Sequence, residues 1–256
     1  MQNIDLKDFL ELKYNQYNRS EFITSDPVQI PHQYSLQEDI EISAFLSATI
    51  AWGQRKAIID NAQKLMRLMG NNPYDFVLDA GDEHLSRLEG FVHRTFQSVD
   101  CLYFIHSLRN IYQNHGGLKT VFESSYMQHG EMFNVLVDFR NVFFETEGLL
   151  RTRKHVSDVN KGASAKRLNM FLRWMVRNDG RGVDFGLWTK IPASALYLPL
   201  DLHSGNVARK LGLLTRKQND WRAVSEVTAN LRNYDPSDPV KYDYALFGLG
   251  VFEKFK

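Results

Sequence analysis

The chain has 256 residues, 43% of them hydrophobic and 24% charged, enough for one large or two small hydrophobic cores. A single cysteine, Cys101, excludes a disulfide framework and a four-cysteine iron–sulfur cluster, and no run of residues approaches the length of a membrane span. Net charge is +1, so no global basicity advertises nucleic acid. The charge is polarised instead: residues 1–50 hold three basic and eight acidic side chains, while 151–181 hold nine basic and two acidic ones. No signal-peptide pattern stands at the N-terminus, and the expected location is the cytoplasm.

In chain order, Asp5 opens a short helix through Tyr17 with Leu6, Phe9 and Leu10 on one side. Residues 19–34 read as a loop broken by Pro27 and Pro31. Ser35-Leu36-Gln37-Glu38 has the form of a capping box, and the helix after it is apolar nearly all round through Ile50. A turn at Trp52-Gly53 leads into a helix from Arg55 to Met69, closed by Gly70. Asn72-Pro73 starts another, and Asp100 leads one that stops at Gly116-Gly117. Two more follow, around 118–126 and 132–144. Residues 145–163 are polar and basic with few apolar anchors, which predicts a mobile loop. After Leu214, Asp220 caps a helix carrying Val224, Val227 and Leu231, and Asp238-Pro239 opens the last. Only Ala195–Leu198 offers a strand. The fold class is all-α, with ten or more helices.

The most informative stretch is 161–214. Leu168, Phe171, Leu172 and Met175 make an apolar face at three- and four-residue spacing, with Lys166, Arg173 and Arg177 expected opposite it. A Gly-rich turn follows. Then Asp201 stands where a second basic helix should begin, after Pro199 and ahead of Val207, Ala208 and Leu211. A carboxylate there accepts backbone N–H bonds and is held at the mouth of whatever lies between the two helices. Lys166 and Asp201, 35 residues apart, are candidates for a nucleophile and its electrostatic partner.

This segment resembles the core of the helix-hairpin-helix/GPD superfamily of base-excision DNA glycosylases. LPLDLHSGNVARKLGL is similar to the stretch in which a catalytic Asp precedes a Thr-His-Val and a basic helix, which carries the Asp over to Asp201 and the His to His203. Lys166-Arg167-Leu168-Asn169-Met170-Phe171 is similar to the Lys-Thr-x-x-x-Phe of the archaeal 8-oxoguanine glycosylase branch, with Arg167 in place of the Thr. The hairpin departs from the pattern. Ile191-Pro192-Ala193-Ser194-Ala195 stands where the family has Leu-Pro-Gly-Val-Gly. ISAFLSATIAWGQRKAIIDNAQKL is similar to the early glycosylase stretch with a Leu-Ser-x-Gln turn, although Gln54 falls later than the family's glutamine. Nearly end to end, the chain also resembles an uncharacterised bacterial family, common in Bacteroidetes, placed in this superfamily. The resemblance implies one all-α glycosylase-like unit over 1–256 with a variant hairpin, open to division into two helical subdomains flanking a cleft, with the site segment at 161–214.

It implies in turn a DNA glycosylase, with or without lyase activity, that removes an oxidised purine such as 8-oxoguanine from damaged duplex DNA. Leaving of the base puts positive character on the sugar, which a carboxylate such as Asp201 stabilises. An unprotonated lysine attacks C1′ and forms a Schiff base, a role that falls to Lys166 with Lys190 in reserve. Gln54, Arg55, Arg167, Arg173, Trp188, His203 and Arg209 are the expected DNA or substrate contacts. The extruded base needs an aromatic platform, from among Trp52, Trp174, Trp188 and Trp221. No metal or cofactor is expected, since Asp201-x-His203 lacks the remaining ligand spacing of a metal site. A metal-dependent phosphohydrolase is the weakest alternative. The main one is a non-catalytic DNA-binding module that keeps the glycosylase-like fold and the basic groove.

Overall fold

The computed structural model describes residues 5–255, and these are predominantly helical. The chain forms two compact units, Ile23–Ser157 and the paired segments Met1–Phe22 and Asp158–Lys256. The first helix, α1 (Leu6–Tyr17), belongs to the second of these, and the short α2 (Ser20–Ile23) follows it.

In the Ile23–Ser157 unit, 3-10 turns at Pro27–Gln29 and Pro31–Gln33 lead into α3 (Gln37–Thr49). The Ser35 capping box does not form: the helix starts one turn position later, with Leu36 as N-cap and no side-chain cap bond. From Ile40 to Thr49 every position of α3 is buried, Glu41 among them, whose carboxylate accepts from Gln37 Nε2 at 2.8 Å and the Tyr112 hydroxyl at 2.9 Å. Around it come α4 (Arg55–Leu68), α5 (Pro73–Asp79), α6 (Asp82–Ser86), α7 (Ser98–Asn114), α8 (Gly117–His129) and α9 (Met132–Phe143). Phe45, Phe104, Phe139 and Phe143 meet at the centre, Phe104 and Phe143 with ring centroids 4.7 Å apart. The strands lie elsewhere than at Ala195–Leu198. They are β1 (Val92–His93) and β2 (Phe96–Gln97), an antiparallel hairpin with His93 opposite Phe96.

The polar run after α9 is anchored rather than loose. Asp100, fully buried in the first turn of α7, accepts from Arg151 Nη2 at 3.0 Å and Thr152 Oγ1 at 2.8 Å. His155 Nε2 lies 3.4 Å from the same carboxylate. A buried acid needs partners, and it recruits them from Leu150–His155, which turns as a 3-10 helix. The anchors are polar side chains, which is why apolar periodicity did not reveal them.

The other unit contains α1, α10 (Lys166–Val176), α11 (Leu202–Lys210), α12 (Trp221–Arg232) and α13 (Tyr242–Val251). Packed between α1 and α11, α13 is apolar on every side but one. Two glycines permit the close approach. A Cβ on Gly248 would fall 2.1 Å from the Tyr17 ring, and one on Gly250 would fall 3.0 Å from His203 Cβ. The connection from α10 to α11 is mostly irregular yet well bonded. Phe185 N donates to Trp174 O at 2.8 Å and Trp188 N to Met175 O at 2.9 Å, which satisfies carbonyls at the end of α10. Ala195 ends a 3-10 turn (Ala193–Ala195), and Leu196–Leu198 pairs with no strand among the described residues; Leu198 N donates to Thr228 Oγ1.

Candidate active site

Lys166 is the first residue of α10. Its position is fixed by what precedes it. Ala165 takes a left-handed conformation (φ 50°), Trp221 N donates to Gly162 O, and Ala163 bridges to Asp220. A non-glycine residue in that region stores strain, here directly beside the candidate nucleophile. The Lys166 side chain is half-buried, and Nζ contacts Met170 Sδ at 3.4 Å. No carboxylate of the described residues lies within ion-pair distance of it.

Asp201 is the N-cap of α11. Its Oδ1 accepts from Ser204 N at 2.9 Å and Ser204 Oγ at 3.1 Å, while Asp201 N donates to Ser204 Oγ at 2.9 Å. Among the described residues none bonds to Oδ2, so that oxygen stays available at a half-buried position. The Asp201 carbonyl accepts from Asn219 Nδ2 at 2.8 Å. Asn219 in turn receives Arg209 Nη2 at 2.6 Å, and Arg209 also bonds the Arg216 and Lys217 carbonyls. Arg209 therefore braces the turn that holds Asp201.

The basic stripe of α10 does not face solvent along its length. Arg173 is 4% exposed and Arg177 is 1% exposed. Arg173 Nε donates to Asp184 Oδ1 at 3.3 Å, and Nη1 makes a short bond to Asp243 Oδ2. Arg177 donates to Asp184 at 3.0 Å, Asp238 at 2.8 Å, Asp179 at 2.9 Å and the Tyr14 hydroxyl at 2.8 Å. Burial works against the charge on Arg177, but Asp184 and Asp238 outweigh it and raise its proton affinity. Arg173, expected as a DNA contact on a solvated face, is thus a buried structural cation. A wheel drawn for one helix counts Arg as polar and cannot see carboxylates brought up from 184 and 243.

The remaining candidates fall as follows. Arg167 is half-buried, and burial pulls its guanidinium down to about 10. Trp188, expected as a base contact, is fully buried edge-on against Phe171 at 5.3 Å, so it packs the core instead. His203 is exposed and, with Arg209, lines an open depression of ≈ 510 Å³ whose wall also includes Asn206, Lys210 and Lys254. Lys190 is exposed. Gln54 and Arg55 belong to the Ile23–Ser157 unit, where Gln54 is the exposed N-cap of α4. Their turn is held by His93, whose Nε2 donates to Trp52 O at 3.0 Å while Nδ1 accepts from Asn61 Nδ2 at 3.1 Å.

One residue of the site escaped sequence reasoning. Asp243, in the first turn of α13, is buried, and burial pushes its carboxyl up to about 6. Arg173 opposes that rise, Asp201 adds to it and Lys166 opposes it. Lys166 and Asp201 are thus both within electrostatic reach of one carboxylate. A signal existed: Asp243 is the one acid in YDYALFGLGV, and a buried charge in an apolar helix must have a partner.

Residues 26–252 match the model of a family described as a protein of unknown function, DUF2400. The chain belongs to that family. No curated protein and no solved structure matches this DUF2400 chain. Among its described residues no helix is long and apolar enough to cross a membrane, and no three His, Cys, Asp or Glu side chains are grouped to hold a metal ion.

Proposed function

We propose that the chain is a DNA base-excision glycosylase with an associated lyase activity, acting on an oxidised purine such as 8-oxoguanine in duplex DNA. The observation that carries this reading is the fixed placement of the two candidates, Lys166 at the first position of α10 and Asp201 as the bonded N-cap of α11 with Oδ2 left over.

In this scheme the Lys166 amine attacks C1′ of the damaged nucleotide. The C1′–N bond breaks, and the base departs with the bonding electron pair and takes up a proton. The ionised Asp201, with Oδ2 available, stabilises the cationic sugar as the bond opens. Ring opening then gives the lysine Schiff base, from which loss of a C2′ proton expels the 3′ phosphate. Capping fixes Asp201 beforehand, so the carboxylate costs little to orient during the reaction. The exposed Lys210 and Lys254 beside His203 in the depression supply positive charge for backbone phosphates.

Borohydride trapping on a duplex with one 8-oxoguanine, beside an abasic-site duplex, tests the scheme. The wild type should give a covalent adduct and Lys166→Gln none, with salt-dependent DNA binding retained. An adduct of equal yield in Lys166→Gln would move the nucleophile elsewhere. No adduct and no base release on a panel of lesions, with binding intact, would favour a DNA-binding module.

A further inference from the structure

In the Ile23–Ser157 unit two tight turns lock together. The β1–β2 hairpin reverses through Arg94 and Thr95, and Arg94 takes a left-handed conformation (φ 54°) where such short turns favour glycine or asparagine. Gly53, at φ 108°, stands in the turn ahead of α4, and a Cβ there would meet Arg94 Cδ at 3.1 Å and Nη1 at 3.2 Å. The Arg94 side chain therefore lies along the Gly53 backbone. His93 ties the two turns together through its bond with Trp52 O and its T-shaped contact with the Trp52 ring at 5.0 Å. Arg94 is exposed, and no carboxylate of the described residues lies within ion-pair distance of it. Arg151 lies against the same hairpin, donating to Gln97 Oε1 at 2.7 Å and Thr95 O at 3.3 Å, but Asp100 answers its charge. Arg55 opens α4 two residues after Gly53.

We propose that this hairpin tip is a seat for the phosphodiester backbone of DNA, with Arg94 as the residue that meets the phosphate. A guanidinium presents a planar fork of donors that matches phosphate oxygens. The exposed Gln54, Thr95 and Gln97 beside it add neutral hydrogen-bonding groups, the mixture that backbone contacts use. Arg55 and Arg151 reinforce the positive field. Glycine at position 94 would serve the turn better and would leave no cation over the Gly53 turn. Strained residues of this kind persist where their surroundings over-determine them, and they cluster at ligand-binding sites. The contact positions a strand and reads no base. That the polymer is DNA rests on the glycosylase reading, whereas the cationic geometry of the tip does not.

The test is fluorescence anisotropy of the full chain on a duplex with one tetrahydrofuran abasic analogue, which cannot form a Schiff base. In the wild type, log affinity should fall linearly with log salt between about 50 and 200 mM. Arg94→Gln should reduce the slope by about one and weaken low-salt binding about three- to tenfold, while Arg94→Lys should keep the slope. Arg67→Gln, which removes an exposed cation from the far end of α4, should change neither. Arg94→Gly removes the charge and the strain together, so it should weaken binding without lowering Tm. An unchanged slope in Arg94→Gln, or an equal effect in Arg67→Gln, overturns the proposal. So does a fall of Tm in Arg94→Gly in step with affinity, which would make Arg94 a packing residue for Gly53. Displacement of the duplex by polyglutamate as readily as by unlabelled duplex would assign the tip to acidic polypeptides and overturn it too. Because no chemistry occurs in this assay, Arg94-dependent binding without a borohydride adduct would defeat the glycosylase reading and leave this one standing. A wild-type adduct with an unchanged slope in Arg94→Gln would do the reverse.

Discussion

Asp184 is the most exacting place to test the account of the buried charges. Its side chain is fully buried, and its two oxygens accept from two different guanidiniums, Arg173 at 3.3 Å and Arg177 at 3.0 Å. Asp184→Ala leaves both cations in place and takes away the anion between them. Removing one partner of a buried pair costs about 3–5 kcal/mol, because the remaining charge is left poorly compensated. Arg173 keeps Asp243, and Arg177 keeps Asp179 and Asp238, so the loss should stay inside that range rather than exceed it. For a chain of this size, each kcal/mol lowers Tm by about 2–4 °C, which gives a fall of about 6–20 °C. Urea unfolding followed by tryptophan emission is suitable, since Trp174 and Trp188 are buried in the same unit as Asp184. Asp184→Asn, which preserves shape and some hydrogen bonding, should lose less than Ala. A loss below about 1 kcal/mol in Asp184→Ala, the scale of an exposed pair, would refute the view that these ions are desolvated.

Three other predictions follow from particular contacts. Asp201→Asn keeps a good N-cap and removes the charge, so adduct formation should fall about 10²–10³-fold with Tm nearly unchanged. Asp201→Ala should add about 1 kcal/mol of instability, measurable in the same urea titration. Gly248→Ala drives a methyl into the Tyr17 ring and should cost about 1–3 kcal/mol, and Tyr17→Ala in the same chain should recover much of it. His93 is held below its ordinary value, by burial first, and bonds to Trp52 O as a neutral ring. Its contribution is therefore full above about 6.5 and is lost as pH falls toward the depressed folded value. Stability measured from pH 7.5 to 5.5 (about this window) should fall less steeply in His93→Gln than in wild type. An identical slope would remove His93 from the explanation.

The helices were legible because apolar periodicity and capping residues are local. Asp220 and Asp201 both accept N-cap bonds where their sequence positions predict them. Pro73 stands at N1 of α5, and Gly70 and Gly116 take left-handed conformations next to helix ends. What failed was long-range. The polar run after α9 is tied down by Asp100, some fifty residues earlier in the chain, and Ser35 lost its capping role to a chain path that starts α3 one residue later. Trp188 is core because the connection after α10 folds back to bond Met175, a contact with no periodic signature. Arg173 and Arg177 misled for a similar reason: period places them on one face, but only the fold says which carboxylates meet that face.

The same stripe explains why a lysine at its end could differ from the arginines below it. Arg173 and Arg177 are matched by direct bonds to Asp184, Asp243, Asp238 and Asp179, and none of these reaches Lys166 at ion-pair distance. Arginine suits the matched positions, since its fork of donors serves several carboxylates and it does not give up its proton. Lysine suits the unmatched one in the proposed scheme, where the amine must be free of its proton to attack. Lys166→Arg should therefore fold with a Tm close to wild type, because no ion pair is exchanged. It should yield no borohydride adduct, because a guanidinium cannot form the Schiff base. A Lys166→Arg chain that still formed the adduct would show that the exceptional position in the stripe is structural, and that the nucleophile lies elsewhere.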